Sequence, residues 1–282
     1  MDKKTAHVIG TNVSTSLSPA IFEYWFKKYN VNGEYGFIEI KEEKFDQEIT
    51  PILKKKGLIG LNITTPFKER IVPHLTNKHT GLPVNCVTIK KNKITGTNTD
   101  WSGFERACVK KYNKTFREGM CFGTALVLGY GGAAKAIIYS LVKQGYKSVY
   151  IFNRTFDKIK NIGAIFEDKE DISEQSTVSA KKIENLAEYT EGANIIVNTT
   201  PINPLNRDTK WNIGPNTLGF DIVYKPREGN GFLEHFDPNL RIEGIQMLVY
   251  QAAPCFNLWF GIRPEIDEEI FKHLYKRLQE SK

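Results

Sequence analysis

The sequence predicts an α/β protein of two domains. Three observations carry that expectation: strand-like and helical runs alternate up to about residue 100, a glycine turn joins strand, helix and strand between residues 124 and 155, and the C-terminal stretch reads as two helices. With 282 residues, 40% hydrophobic and 25% charged, the chain is long enough for two domains of roughly 100 to 150 residues each. The expected division places residues 1–103 and 243–282 in one domain and residues 104–242 in the other, with the C-terminal helices packing back on the first.

The elements follow in order. "TAHVIGT" reads as a strand, "PAIFEYWFKKY" as a helix with Ile21, Phe22, Trp25 and Phe26 on one face, "EYGFIEI" as a strand, "KFDQEITPILKK" as a helix and "IGLNITT" as a strand. A further helix is expected from "PFKERIV". The stretch "TALVLGYGGAAKAIIYSLVKQGYKSVYIFNRT" then supplies an apolar strand, a glycine turn, a helix ending at Gly145 and a second apolar strand, the length of one βαβ unit. "ANIIVNTT" and "LGFDIVY" add strands, and "QMLVYQAAPCFNLWFGI" and "PEIDEEIFKHLYKRL" close the chain as helices.

Composition excludes several classes. Cys86, Cys108, Cys121 and Cys255 lie far apart without a Cys-x-x-Cys pair, which argues against a disulfide framework or a zinc site, and the five histidines show no ligand spacing, so no metal is expected. The start, "MDKKTAHVIG", has no apolar region followed by a cleavage site, and no window approaches 18 uninterrupted apolar residues. A cytoplasmic protein with no membrane partner is expected. The net charge of +7 is spread in short runs, "KKK" at 54–56 being the longest, among acidic residues and without a basic helix. That distribution favours small anions over nucleic acid.

Four stretches carry candidate chemistry. In "STSLSP", Ser18 reads as an N-cap with Pro19 at the first helical position, and Ser16 and Ser18 together offer hydroxyls beside a positive helix end, a seat for a carboxylate. In "GLNITTPFKER", Asn62 and Thr64 share a strand face. Thr65 would cap the helix begun by Pro66, which sets Lys68 in the first turn against the positive end of the macrodipole. Asp100 in "TNTDWSGF" is either an N-cap or the partner of Lys68. Asn85 and Gln251 either close local backbone or join them.

The turn Gly129-Tyr130-Gly131-Gly132-Ala133-Ala134 is a G-x-G-x-x-A pattern between a strand and a helix, the context of a dinucleotide site. Such a site selects NAD when Asp or Glu ends the second strand. Here Asn153, Arg154 and Thr155 stand there, and an arginine fork in place of a carboxylate favours the 2′-phosphate of NADP.

Together the residues resemble the shikimate dehydrogenase family over nearly the full chain, through "STSLSP", "GLNITTPFKE", "PVNCVT", "TNTD", "GYGGAAKA", "NRT", "NTTP", "DIVYKP" and "GIQMLVYQAAPCFNLWFG" in order. The resemblance implies an N-terminal α/β substrate domain, a Rossmann-like NADP-binding domain, and reversible NADP-dependent reduction of 3-dehydroshikimate to shikimate on the route to chorismate and the aromatic amino acids. It implies that Lys68 and Asp100 are catalytic, that Ser16 and Ser18 hold the substrate carboxylate, and that Asn62, Thr64, Asn85, Tyr224 and Gln251 surround the rest of the ring. Gly129, Gly131, Gly132, Ala133, Asn153, Arg154, Thr155 and Gly244 would serve the cofactor. Thr15, Trp101, "NTTPINP" and "YKPREGN" depart from the family's usual pattern. A quinate/shikimate dehydrogenase and a non-catalytic NADP-binding sensor are the alternative readings, and a monomer and a homodimer are both compatible with the sequence.

Overall fold

The computed structural model describes residues 3–77, 81–91, 93–115, 122–162, 176–205, 211–224 and 231–280. Cys121 and residues 225–230 of "YKPREGN" lie outside the described residues. The chain divides into two compact units, residues 1–103 with 248–282, and residues 104–247.

The first unit is built on a mixed five-stranded sheet in the order β2-β1-β3-β4-β5, from β1 (Lys4–Gly10), β2 (Gly33–Glu39), β3 (Leu58–Ile63), β4 (Cys86–Lys90) and β5 (Lys93–Thr97). The crossover helices α1 (Ser18–Lys28) and α2 (Phe45–Leu53) make β1, β2 and β3 parallel, and the β4–β5 hairpin adds two antiparallel strands. On one side, Phe45 and Ile49 of α2 bury against Ile9, Leu61 and Ile63. Phe22 of α1 stacks on Tyr35 of β2 with ring centroids 3.9 Å apart. It also lies 5.6 Å from Trp259 of α5 (Gly244–Phe260).

That tryptophan seats α5 on the sheet. Its Nε1–H donates to the carbonyl of Val87 at 3.1 Å and to Thr88 Oγ1 at 3.2 Å, and a Cβ at Gly60 would meet the indole at 2.2 Å, so only glycine allows this approach. The final helix α6 (Glu268–Glu280) is tied to α1 through Asp267, whose carboxylate accepts from Tyr24 Oη, Lys28 Nζ and the N–H of Ile270.

Two local expectations are corrected. The segment 65–71 is a run of turns rather than a helix, and the Thr65–Pro66 peptide is cis. Phe67 and Ile71 have helical spacing because one turn, closed by Ile71 N–H on the Phe67 carbonyl, buries both in the core. Lys68 therefore faces no helix end. The N-cap of α1 is Leu17, not Ser18, and Ser18 is the first helical residue. Its N–H donates to Ser16 Oγ at 3.2 Å, so the serine two positions ahead satisfies a helix N–H that Ser18 does not.

The second unit carries a six-stranded parallel sheet in the order β11-β10-β9-β6-β7-β8. Its strands are β6 (Thr124–Leu128), β7 (Ser148–Asn153), β8 (Thr177–Lys182), β9 (Ile195–Asn198), β10 (Leu218–Asp221) and β11 (Arg241–Glu243). Read from β8, this is the doubly wound order 3-2-1-4-5-6. The apolar runs fit a sheet covered on both faces: Leu126, Leu128, Phe152 and Ile196 bury on one side, and α4 (Gly132–Lys143) covers the other with Ile137, Ile138 and Leu141 fully buried. The winding reverses between β6 and β9, and a ligand of such a sheet binds outside the carboxyl ends at that point.

Candidate active site

Five of the sequence-derived site residues are brought together in the first unit. Lys68 follows β3 in the turn segment, Asn85 immediately precedes β4, Asp100 opens α3 (Asp100–Thr115), Asn62 lies in β3 and Gln251 in α5. Lys68 Nζ lies 2.6 Å from Asp100 Oδ2, with the two residues only 9% and 6% exposed. A charge-assisted contact this short and this dry needs its remaining lone pairs satisfied. Asn85 does so: its Nδ2 lies 2.9 Å from Asp100 Oδ1, 2.9 Å from Thr99 Oγ1 and 3.1 Å from Gln251 Oε1, and its Oδ1 accepts the Thr99 N–H at 2.6 Å.

Asp100 is free for Lys68 because another residue caps its helix. Asn98 Oδ1 accepts the N–H of Trp101 at 3.2 Å, and Asn98 Nδ2 donates to the Pro83 carbonyl. The bulky Trp101 after "NTD" is thus held by a side-chain cap. Gln251 pairs both ways, its Nε2 with the Leu248 carbonyl and its Oε1 with Asn85.

Sequence reasoning missed three members of this network. Tyr35 Oη donates to Asn62 Oδ1 at 2.7 Å, fixing which end of that amide faces Asn85, whose carbonyl accepts Asn62 Nδ2 at 3.1 Å. Thr99 bridges Asn85 and Gln251, and Cys255 Sγ lies 3.3 Å from Asn62 Nδ2 and 3.5 Å from Thr99 Oγ1. The Cys255 sulfur beside it, together with full burial, pushes the Cys86 thiol up. The position of Thr99 inside "TNTD" was the available signal, whereas Tyr35 lies on β2, separated from Asn62 of β3 by β1. Ser16, Ser18 and Thr64 form no side-chain hydrogen bond to this cluster. Ser18 is nevertheless 5% exposed.

The remaining candidates belong to the second unit. Gly129 has φ +101°, and a Cβ there would meet Thr199 Oγ1 at 2.6 Å, so the turn needs glycine twice over. At Gly131 a Cβ would meet nothing within 4 Å, and its φ of −91° suits any residue. The protein's own packing leaves that space open at the N-terminus of α4, where Gly132 and Ala133 begin the helix. Asn153 ends β7 and donates from Nδ2 to the Thr155 carbonyl at 2.9 Å, shaping the bend that exposes Arg154. The carboxyl end of β9 is ordered by Asn198, which accepts from Thr200 and donates to Ile202 and Asp221. "NTTPINP" is therefore internally braced. Gly244 begins α5, and Tyr224 follows β10.

Residues 8–81 match the family model described as shikimate dehydrogenase substrate binding domain, and residues 114–212 match shikimate / quinate 5-dehydrogenase. Over 280 residues the sequence is 31% identical to shikimate dehydrogenase (NADP(+)) of Bartonella quintana (strain Toulouse), covering 94% of this chain and 90% of that protein. This chain belongs to the shikimate dehydrogenase family. A shikimate dehydrogenase solved in complex with NADP+ shares the fold at a TM-score of 0.80 and 26% identity, covering 98% of this chain and 96% of the other. Quinate dehydrogenase from Corynebacterium glutamicum in complex with NAD superposes with a TM-score of 0.81 at 21% identity over 98% of this chain and 99% of the other, a likeness of fold alone.

No helix among the described residues is long and apolar enough to cross a membrane. No group of three His, Cys, Asp or Glu among them is placed to hold a metal ion.

Proposed function

We propose that this protein catalyses the reversible NADP-dependent reduction of 3-dehydroshikimate to shikimate, a step toward chorismate and the aromatic amino acids. The observation that carries the reading is the buried Lys68–Asp100 pair braced by Asn85, in a chain of this family. NADPH, when held at the glycine turn and Arg154, would supply the hydride that the ring carbonyl carbon takes up. Lys68 hydrogen-bonds the carbonyl oxygen, stabilises the negative charge that grows on it and donates a proton from Nζ; the resulting amine is held by Asp100 and recovers a proton from water. In the oxidative direction the same nitrogen accepts the hydroxyl proton. Asp100, tied to Asn85, keeps the lysine aimed while its charge changes.

Ser16 and Ser18 take the substrate carboxylate in this reading, and Asn62, Thr64, Asn85 and Gln251 face the ring hydroxyls. The family resemblance assigns Tyr224 to the substrate and Gly244 to the nicotinamide. The residues at the glycine turn fit NADP: the open space at Gly131 leaves room for a pyrophosphate at a helix N-terminus, and the strand end carries the exposed Arg154 where NAD sites carry an acid.

Initial rates with shikimate or quinate, each paired with NADP+ or NAD+, test the proposal. Turnover of shikimate with NADP+ well above the other three combinations is expected. Preference for quinate moves the substrate, and tight NADP binding without turnover leaves a sensor on the same fold.

A further inference from the structure

Glu39 is the last residue of β2 and lies in register with Gly10, the last residue of β1. Between Gly10 and α1 runs the loop "TNVSTSL", which contains no charged side chain. Its anchor comes from the neighbouring strand: Glu39 Oε1 accepts the N–H of Val13 and the N–H of Ser14, both at 2.9 Å. The next link is the turn itself, closed by the N–H of Ser16 on the Val13 carbonyl at 2.9 Å. The last is Ser16 Oγ, which accepts the N–H of Ser18 where α1 begins. One carboxylate oxygen thus stands at the root of a chain of hydrogen bonds that ends on both serines.

We propose that Glu39 is a positioning residue that pre-forms the seat for the substrate carboxylate. The inference rests on the reading above, in which Ser16 and Ser18 receive that group. The backbone N–H and hydroxyl of Ser14, with the N–H of Val13, hold the Glu39 carboxyl below its ordinary range. It is therefore an ionised acceptor near neutral pH, and hydrogen bonds to an ionised acceptor are the stronger kind. A loop ordered before binding loses less freedom when the anion arrives, and the benefit goes to binding rather than to the chemical step.

The test is steady-state kinetics of the full chain with shikimate and NADP+, comparing wild type, Glu39→Ala and Glu39→Gln. Glu39→Ala should raise the KM for shikimate about tenfold, with kcat and the KM for NADP+ within about twofold of wild type. Glu39→Gln keeps an oxygen that can accept both N–H groups, and should restore the KM to within about threefold. An unchanged KM for shikimate in Glu39→Ala overturns the inference. So does a joint change in kcat and both KM values, which marks a general loss of structure. A wild-type protein that does not turn over shikimate sinks the functional reading and this inference with it, whereas normal wild-type turnover with an unaltered Glu39→Ala sinks this inference alone.

Discussion

The two ends of the proposed reaction are built in opposite ways. Around Lys68 the polar side chains are buried and spend their hydrogen bonds on one another: Asp100, Asn85, Thr99, Gln251, Asn62 and Tyr35 form one connected set. At the glycine turn and the end of β7, Arg154 and Thr155 are exposed, and Gly131 borders open space. The first arrangement holds its geometry before any ligand arrives. In the second, the ligand supplies the partners. Substitutions in the network should therefore disturb several residues at once, while substitutions at the nucleotide end should act singly and alter which cofactor is used.

The largest effect expected is from Lys68→Ala, which removes the proton carrier and should lower kcat by about 10²- to 10⁴-fold with little change in the KM for NADP+. A fall in kcat of less than about tenfold would remove Lys68 from the chemistry. Asn85→Ala comes next, because it strips Asp100, Thr99 and Gln251 of a shared donor in a dry site. It should both destabilise the protein, by about 1–3 kcal/mol in denaturant unfolding, and lower kcat/KM for shikimate. The contrasting variant is Arg154→Ala, expected to raise the KM for NADP+ about tenfold while leaving NAD+ turnover and thermal stability unaltered. Equal losses with both cofactors would place the discrimination elsewhere.

The smallest effect lies outside both regions. Burial alone would raise the Asp267 pKa, but the Lys28 ammonium, the Ile270 N–H and the Tyr24 hydroxyl outweigh it, and the net direction is downward from 3.8. A carboxylate with a lowered native pKa stabilises the fold fully above its unfolded value, and that contribution is lost as pH falls through the native one. Asp267→Ala should cost about 1 kcal/mol at pH 7, the loss of a helix-start acceptor, with the difference from wild type shrinking below about pH 4. Its kcat should match wild type.

What could be read from sequence differs between the same regions. The glycine turn was legible because strand, glycine spacing and helix are contiguous, and each link is a local backbone requirement. Lys68 was singled out as a cation in the first turn of an expected helix, a reason that fell with the helix, and Asp100 as a carboxylate between a short strand and a helix. Tyr35 and Cys255 did not, because their partners lie 27 and 193 residues away along the chain and a tyrosine or cysteine on a buried face has no periodic signature. The helix expected from Pro66 failed for a related reason: Phe67 and Ile71 satisfy helical spacing with a single turn, and the core rather than a hydrogen-bonded ladder holds the segment. Ser18 was misplaced by one residue because Ser16, from outside the helix, takes the hydrogen bond that a cap would take.

The most direct test of the central claim, that Lys68 and Asp100 act as one unit, is a double-mutant cycle of Lys68→Ala and Asp100→Asn read in kcat/KM for shikimate with NADP+. If the aspartate works through the lysine, the double variant should be no slower than Lys68→Ala alone, to within about threefold. Losses that multiply, so that the double variant falls by the product of the two single effects, would contradict it.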